Sequence, residues 1–300
     1  MSVTSKAIVI GGGIGGLGTA CLLGKAGYEV TLYEKNEQLG GRASVFEAEG
    51  FRFDMGPSWY LMPDLFAQFF ELLGERIEDH LELTKLDPSY RIFFQGRTEP
   101  IDIFSDLERN RPLFEEFEPG STEKLKAYLK TAGEQYRIAK EQFIYKNYDS
   151  IFDFFTWDVL TKGRKLHVFQ SMDRYVRSQF ESEELQKILQ YTLVFLGSSP
   201  YNTPALYNIM SYIDFDMGVF YPKGGIYALI QALERIAHKN GVAIKLNEPV
   251  QEILVDQGRA IGVKRNNGTI DRADVVISNA YYHFTEQVLL PATAREHNEA

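Results

Sequence analysis

Three glycines, Gly11, Gly13 and Gly16, followed by a carboxylate at Glu34, have the spacing needed to hold a dinucleotide. The first glycine allows a tight turn, the second lets backbone approach a pyrophosphate, and the third lets a helix pack closely on a strand. The tip of that helix offers unpaired N–H groups and the positive end of its dipole to phosphate oxygens. Glu34 can accept hydrogen bonds from both hydroxyls of a ribose. Ile14 and Gly15 within the loop, and Lys35 after the carboxylate, complete this candidate set.

A glycine loop of this kind serves NAD as well as FAD. The residues that follow separate the two. Leu39-Gly40-Gly41-Arg42 comes just after the carboxylate. Its glycine pair, with Gly41 beside the arginine, permits a second close backbone approach, and Arg42 sets a fixed cation beside the diphosphate. The expected cofactor is FAD.

Such residues require a strand, a helix and a second strand to position them. Residues 7–10 are a short apolar run ending at glycine, as in a buried strand of a parallel sheet. Ile14, Leu17 and Cys21 recur at helical spacing, and Gly27 supplies a stop. Residues 29–34 read as the second strand. Further on, Pro63 and Asp64 open a helix with Phe66, Phe69, Phe70 and Leu73 on its apolar face and Gly74 at its end. A hairpin is expected from 90–94 and 99–103 around Gln95-Gly96, and a helix capped by Ser121 running to about 146. Helices are also expected at 183–195, 204–213 and 226–239. The tail returns to strands at 242–246, 250–255, 260–265 and 275–277, with turns at Asn240-Gly241, Gln257-Gly258 and Asn267-Gly268. The expected class is α/β: a Rossmann-like FAD-binding domain with a parallel sheet, discontinuous over residues 1–60 and 240–300. A mostly helical α+β insert, 61–239, would serve the substrate.

Composition narrows the alternatives. A net charge of -9 disfavours nucleic acid, whose phosphates an acidic surface repels. The single cysteine, Cys21, precludes an internal disulfide or a cysteine-based metal site, and the five histidines lack ligand spacing, so no metal is expected. Residues 7–24 carry no charge, but seven of these eighteen residues are glycines in the loop pattern, which argues against a leader or span.

Longer motifs then identify a family resemblance. Gly40-Gly41-Arg42, Phe53-Asp54-Met55-Gly56-Pro57-Ser58-Trp59-Tyr60, Ser199-Pro200 and the run from Gly218 through Tyr221-Pro222-Lys223-Gly224-Gly225 to Leu229 resemble the bacterial-type phytoene desaturases of carotenoid biosynthesis. So do Val250-Gln251-Glu252-Ile253 and the run Ala273-Asp274-Val275-Val276-Ile277-Ser278-Asn279-Ala280. The resemblance implies non-covalent FAD, with the glycine loop, Glu34 and Arg42 on its diphosphate and ribose. It places the Gly56-Pro57-Ser58 loop near the flavin and the backbone of Val250 at the adenine. It also implies hydride transfer from a long isoprenoid hydrocarbon to the flavin; the final electron acceptor stays open between quinone and oxygen. Members of that family end in a further glycine-rich FAD motif that is not found here, so the chain is expected to be a truncated member.

The aromatic content fits such a substrate, because 32 of the 40 aromatic residues lie between Pro57 and Ile230. A hydrocarbon of about forty carbons costs on the order of 30 kcal/mol to hold in water, at about 0.8 kcal/mol per carbon. Delivery is therefore expected from a bilayer, with the protein cytoplasmic and peripherally attached. Residues 151–157, rich in phenylalanine and ending in Trp157, precede Lys162, Arg164 and Lys165, a pattern suited to a membrane interface. Asp153, within that aromatic run, is the candidate acid or base. The alternatives are an amine or porphyrinogen oxidase, a retinol-saturase-like reductase, or an FAD-binding fragment without turnover.

Overall fold

The computed structural model describes residues 4–141, 150 and 170–297. Asp153, residues 151–157, Lys162, Arg164 and Lys165 lie outside the described residues.

The chain divides into two compact units, one of residues 1–84 and 221–300 and the other of residues 85–220. The first contains the parallel sheet. Strand β1 (Lys6–Ile10) leads through helix α1 (Ile14–Lys25) to strand β2 (Glu29–Tyr33). The two strands pair in parallel, Ile8 opposite Thr31 and Ile10 opposite Tyr33. Strand Val275–Ser278 adds to the other side of β1, and Ala243–Lys245 to the outer side of β2, both parallel. Ala7, Ile8, Val9 and Ile10 are all buried, as they must be when both faces of a sheet are covered.

One cover is helical. Cys21 of α1 donates its thiol to the Leu233 carbonyl at 3.4 Å, in the helix Tyr227–Lys239. Burial pushes that thiol up to about 12, so it packs as an inert small hydrophobe. The other cover is an antiparallel sheet of Val250–Asp256, Arg259–Arg265 and Ile270–Arg272, whose Ile253 and Val263 share a core with Ile8 and Ile10. Tight turns at Gln257-Gly258 and Gly268, all at positive φ, close its hairpins.

This unit extends beyond residues 1–60 and 240–300. Helix Pro63–Leu73 belongs to it because α1 carries glycine at position 18, and a Cβ there would stand 3.1 Å from the Phe69 ring. Helix Tyr227–Lys239 belongs to it through α1 as well.

The second unit is an α+β assembly. A hairpin of Tyr90–Ile92 and Ile101–Ile103 accompanies helices Leu107–Phe117, Ser121–Ala139, Met172–Arg177 and Glu183–Gln190. Phe114, Tyr128, Phe180 and Ile188 form its core. Ser121 does not cap its helix: Gly120 occupies the N-cap, and the Glu115 carboxylate accepts the N–H groups of Gly120 and Thr122. The Thr122 side chain beside it, together with those two N–H bonds, pulls the Glu115 carboxyl down to about 2. The expected helix at 204–213 is three tightened and loosened turns in succession, a 3-10 turn Ala205–Asn208, an α turn Ile209–Tyr212 and a π turn Ile213–Met217.

Candidate functional site

The site forms where the parallel strands end. Gly11 follows β1, Glu34 follows β2 and Asn279 follows Val275–Ser278, so the residues leaving three adjacent strands gather at one edge. Ligands of open α/β sheets bind at this carboxyl edge.

The glycine loop has the sterics its spacing requires. A Cβ on Gly16 would lie 1.9 Å from the Gly11 carbonyl, so only glycine lets α1 begin this close to β1. Around Gly13 there is open space instead, the nearest atom to a Cβ being the Gly40 carbonyl at 3.9 Å. This is the cradle a pyrophosphate needs, and a side chain would fill it. Helix α1 has no acidic residue in its first turn to compete with an anion.

Glu34 faces that loop and is 5 % exposed. Its Oε2 accepts the Gly12 N–H at 2.7 Å, and Oε1 accepts the backbone and side-chain N–H groups of Asn36 at 2.9 and 2.7 Å. The carboxylate is thereby fixed in orientation, and Oε2 retains a lone pair for a ribose hydroxyl. Lys35, next in sequence, points to solvent.

The second glycine pair docks on the first loop. The Gly40 N–H donates to the Gly12 carbonyl at 2.8 Å, and a Cβ on Gly41 would meet the Gly13 Cα at 3.4 Å. Arg42 follows with its side chain exposed. The Gly56-Pro57-Ser58 loop packs on the same segment, because a Cβ on Gly56 would stand 1.9 Å from the Arg42 carbonyl. Val250 is buried at the start of its strand, opposite Arg265. The structure thus gathers Gly11, Gly13, Ile14, Gly15, Gly16, Glu34, Gly41 and Arg42 around one loop, with Gly56 against Arg42.

Three side chains of this unit were given no role by the sequence. Asn36 locks Glu34. Asn279 lies over the start of α1, both ends of its amide 3.0 Å from where a Gly15 Cβ would be. Its place after a short apolar strand parallel to β1 was the available signal. Asp54 joins two of the resembling motifs. Its carboxylate accepts Ile226 N–H, Tyr227 N–H and the Tyr221 hydroxyl, and a Cβ on Gly225 would lie 2.9 Å from it. The Gly224-Gly225 turn is therefore a helix start held by an aspartate.

Comparison with known proteins agrees with this geometry. The sequence profile of the flavin containing amine oxidoreductases matches residues 14–281. The chain belongs to that family. The cofactor of the family is FAD, and the open cradle at Gly13 and the oriented Glu34 fit its diphosphate and ribose. The chain is 44 % identical to a carotenoid 3,4-desaturase of Haloarcula japonica over 97 % of its own length and 59 % of that protein's. It is 35 % identical to a zeta-carotene-forming phytoene desaturase of Myxococcus xanthus over 96 % of its length and 56 % of the relative's. The chain therefore spans under three-fifths of these curated relatives. Among solved structures, an oxidoreductase from Methanosarcina mazei matches with TM-score 0.63 at 20 % identity over 95 % of this chain and 61 % of that one. A putrescine oxidase bound to putrescine matches with TM-score 0.61 at 18 % identity over 96 % and 60 %. Both share the fold.

Among the described residues, no group of His, Cys, Asp and Glu is placed to hold a metal ion. No helix among them is long and apolar enough to cross a membrane. The second unit has a cleft of about 380 Å³ with Asp106, Lys126, Lys130 and Asp216 among its lining residues. Four charged side chains make it unlike an apolar slot for a hydrocarbon.

Proposed function

We propose that the chain serves FAD-dependent desaturation of a long isoprenoid hydrocarbon of the carotenoid-precursor type. The observation that carries this reading is the identity of 44 % and 35 % to two carotenoid desaturases across nearly the whole chain. FAD, when bound, supplies the acceptor for the hydride removed from one of two adjacent carbons.

The protein's own residues orient and hold. The N–H groups at the tip of α1 and the cation of Arg42 face the diphosphate, with Ile14 and Gly15 at the loop. Glu34 holds the ribose, Lys35 lies beside it at the surface, and the Val250 backbone meets the adenine. Gly56, Pro57 and Ser58 form a stiff turn against the flavin. The unit of residues 1–84 and 221–300 holds the cofactor, and the unit of residues 85–220 serves the substrate. Asp153, the candidate acid or base, accepts the proton that leaves the second carbon. The substrate arrives from a bilayer to which a cytoplasmic protein attaches peripherally, and quinone or oxygen takes the electrons.

The test is to incubate the chain with FAD, a quinone and phytoene in phosphatidylcholine vesicles, then separate the hydrocarbons by chromatography with absorbance detection. Products absorbing at longer wavelength are expected. Recovery of unchanged phytoene, with turnover of an added primary amine instead, would favour the amine-oxidase alternative.

A further inference from the structure

We propose that Arg265 is a positioning residue for the ribose-binding carboxylate of Glu34, an inference that rests on the FAD reading above. Arg265 lies in the antiparallel sheet, and its side chain is only 17 % exposed. Its Nε donates to Asp271 Oδ2 at 2.7 Å and its Nη1 to Glu248 Oε2 at 3.1 Å. Its guanidinium also covers the Tyr33 ring, 5.6 Å from the centroid. The Tyr33 hydroxyl in turn bonds Asp271, and burial together with that bond pushes it up to about 12.

These partners bracket Glu34. Tyr33 immediately precedes it. On the other side, the Glu248 N–H donates to the Glu34 carbonyl at 2.9 Å, while the Glu34 N–H donates to the Lys245 carbonyl at 2.9 Å. Asn247, at φ 55, donates its N–H to the Asn36 carbonyl at 3.0 Å, and Asn36 is the residue that locks the carboxylate. One guanidinium therefore touches the residue before Glu34 and the side chain of the residue that pins its carbonyl. A planar fork can engage two carboxylates and a ring face at once, which a lysine ammonium cannot. Arg265 also stands opposite Val250 across the strands, next to a register shift between Val250 and Glu252.

If Arg265 only braced the antiparallel sheet, its loss would lower stability and weaken every nucleotide alike. If it positions Glu34, its loss removes the ability to sense a ribose hydroxyl. The experiment compares ADP with 2′-deoxy-ADP by titration calorimetry on the 300-residue chain, for wild type, Arg265→Met, Arg265→Lys and Glu34→Gln. Wild type is expected to prefer ADP by roughly tenfold, the scale of one hydrogen bond to a charged group. Arg265→Met is expected to reduce that preference to about twofold, as Glu34→Gln does, and Arg265→Lys to restore part of it. Should Arg265→Met not fold, Asp271→Asn, which removes one arm of the clamp, is expected to lose part of the preference. An undiminished preference in the soluble variants, whatever their melting temperature, overturns the positioning role. Wild type that binds neither nucleotide overturns the cofactor reading, and the inference with it.

Discussion

Glu34 and Asp214 are both acids buried to about the same extent, 5 % and 4 % exposed, yet they are built on opposite principles. Glu34 receives three N–H donors, all from residues within about two dozen positions of it in sequence. Asp214, in the π turn Ile213–Met217, receives the phenol of Tyr90 at 2.6 Å, and its Oδ1 has no hydrogen-bond partner among the described residues. Burial pushes the Asp214 carboxyl up from 3.8 to about 7, with the Tyr90 bond opposing. The first acid is made by backbone and short-range order, which a sequence displays. The second is made by packing of distant elements, which a sequence does not.

The sharpest way to break the first principle is Gly16→Val. Its side chain would occupy space held by the Gly11 carbonyl, so loss of folding or destabilisation of more than about 3 kcal/mol is expected in urea. A wild-type denaturation midpoint for this variant would contradict the close approach of helix and strand.

Asp214 supplies the next effect. Its folded pKa lies above its unfolded one, so its contribution to stability is full below about pH 4 and is lost as pH rises through about 7. The shift corresponds to about 4 kcal/mol by pH 9, at about 1.4 kcal/mol per unit. Urea melts of wild type against Asp214→Asn should converge at low pH and diverge at high pH, with the variant the more stable. Parallel pH profiles would show that Asp214 ionises as it does in water.

Glu34→Gln comes third. The amide turns a donor toward the N–H groups of Gly12 or Asn36, and a charged acceptor for the ribose is lost. FAD affinity should fall roughly 10- to 100-fold, the range for hydrogen bonds to an ionised group. The smallest effect is expected at Asp54, where Asp54→Ala removes the cap from helix Tyr227–Lys239 at a cost of about 1 to 2 kcal/mol. Differential scanning calorimetry on that variant would read the shift.

The same contrast explains what was legible. Spacing in residues 7–34 specified the strand, helix, strand and carboxylate because each depends on neighbours in the chain. The turns at Gln257-Gly258 and Gly268 were legible for the same reason, since positive φ selects such residues. The Asp54 link to Ile226 joins residues 172 apart, and no local pattern encodes it. The helix expected at 204–213 changes winding twice, because hydrophobic periodicity does not distinguish 3-10, α and π turns over so short a run. Ser121 read as a cap by type, but Glu115 already fills that role through two N–H bonds.

The most direct measurement of the central claim is competitive binding of FAD and NAD to the purified chain, followed by flavin fluorescence. The open space at Gly13 and the oriented carboxylate of Glu34 predict saturable FAD binding at micromolar concentration or below. That binding should be displaced by ADP, left intact by equimolar NAD, and lost in Gly13→Val. A folded chain that leaves flavin fluorescence unchanged, or that releases FAD to NAD, would contradict it.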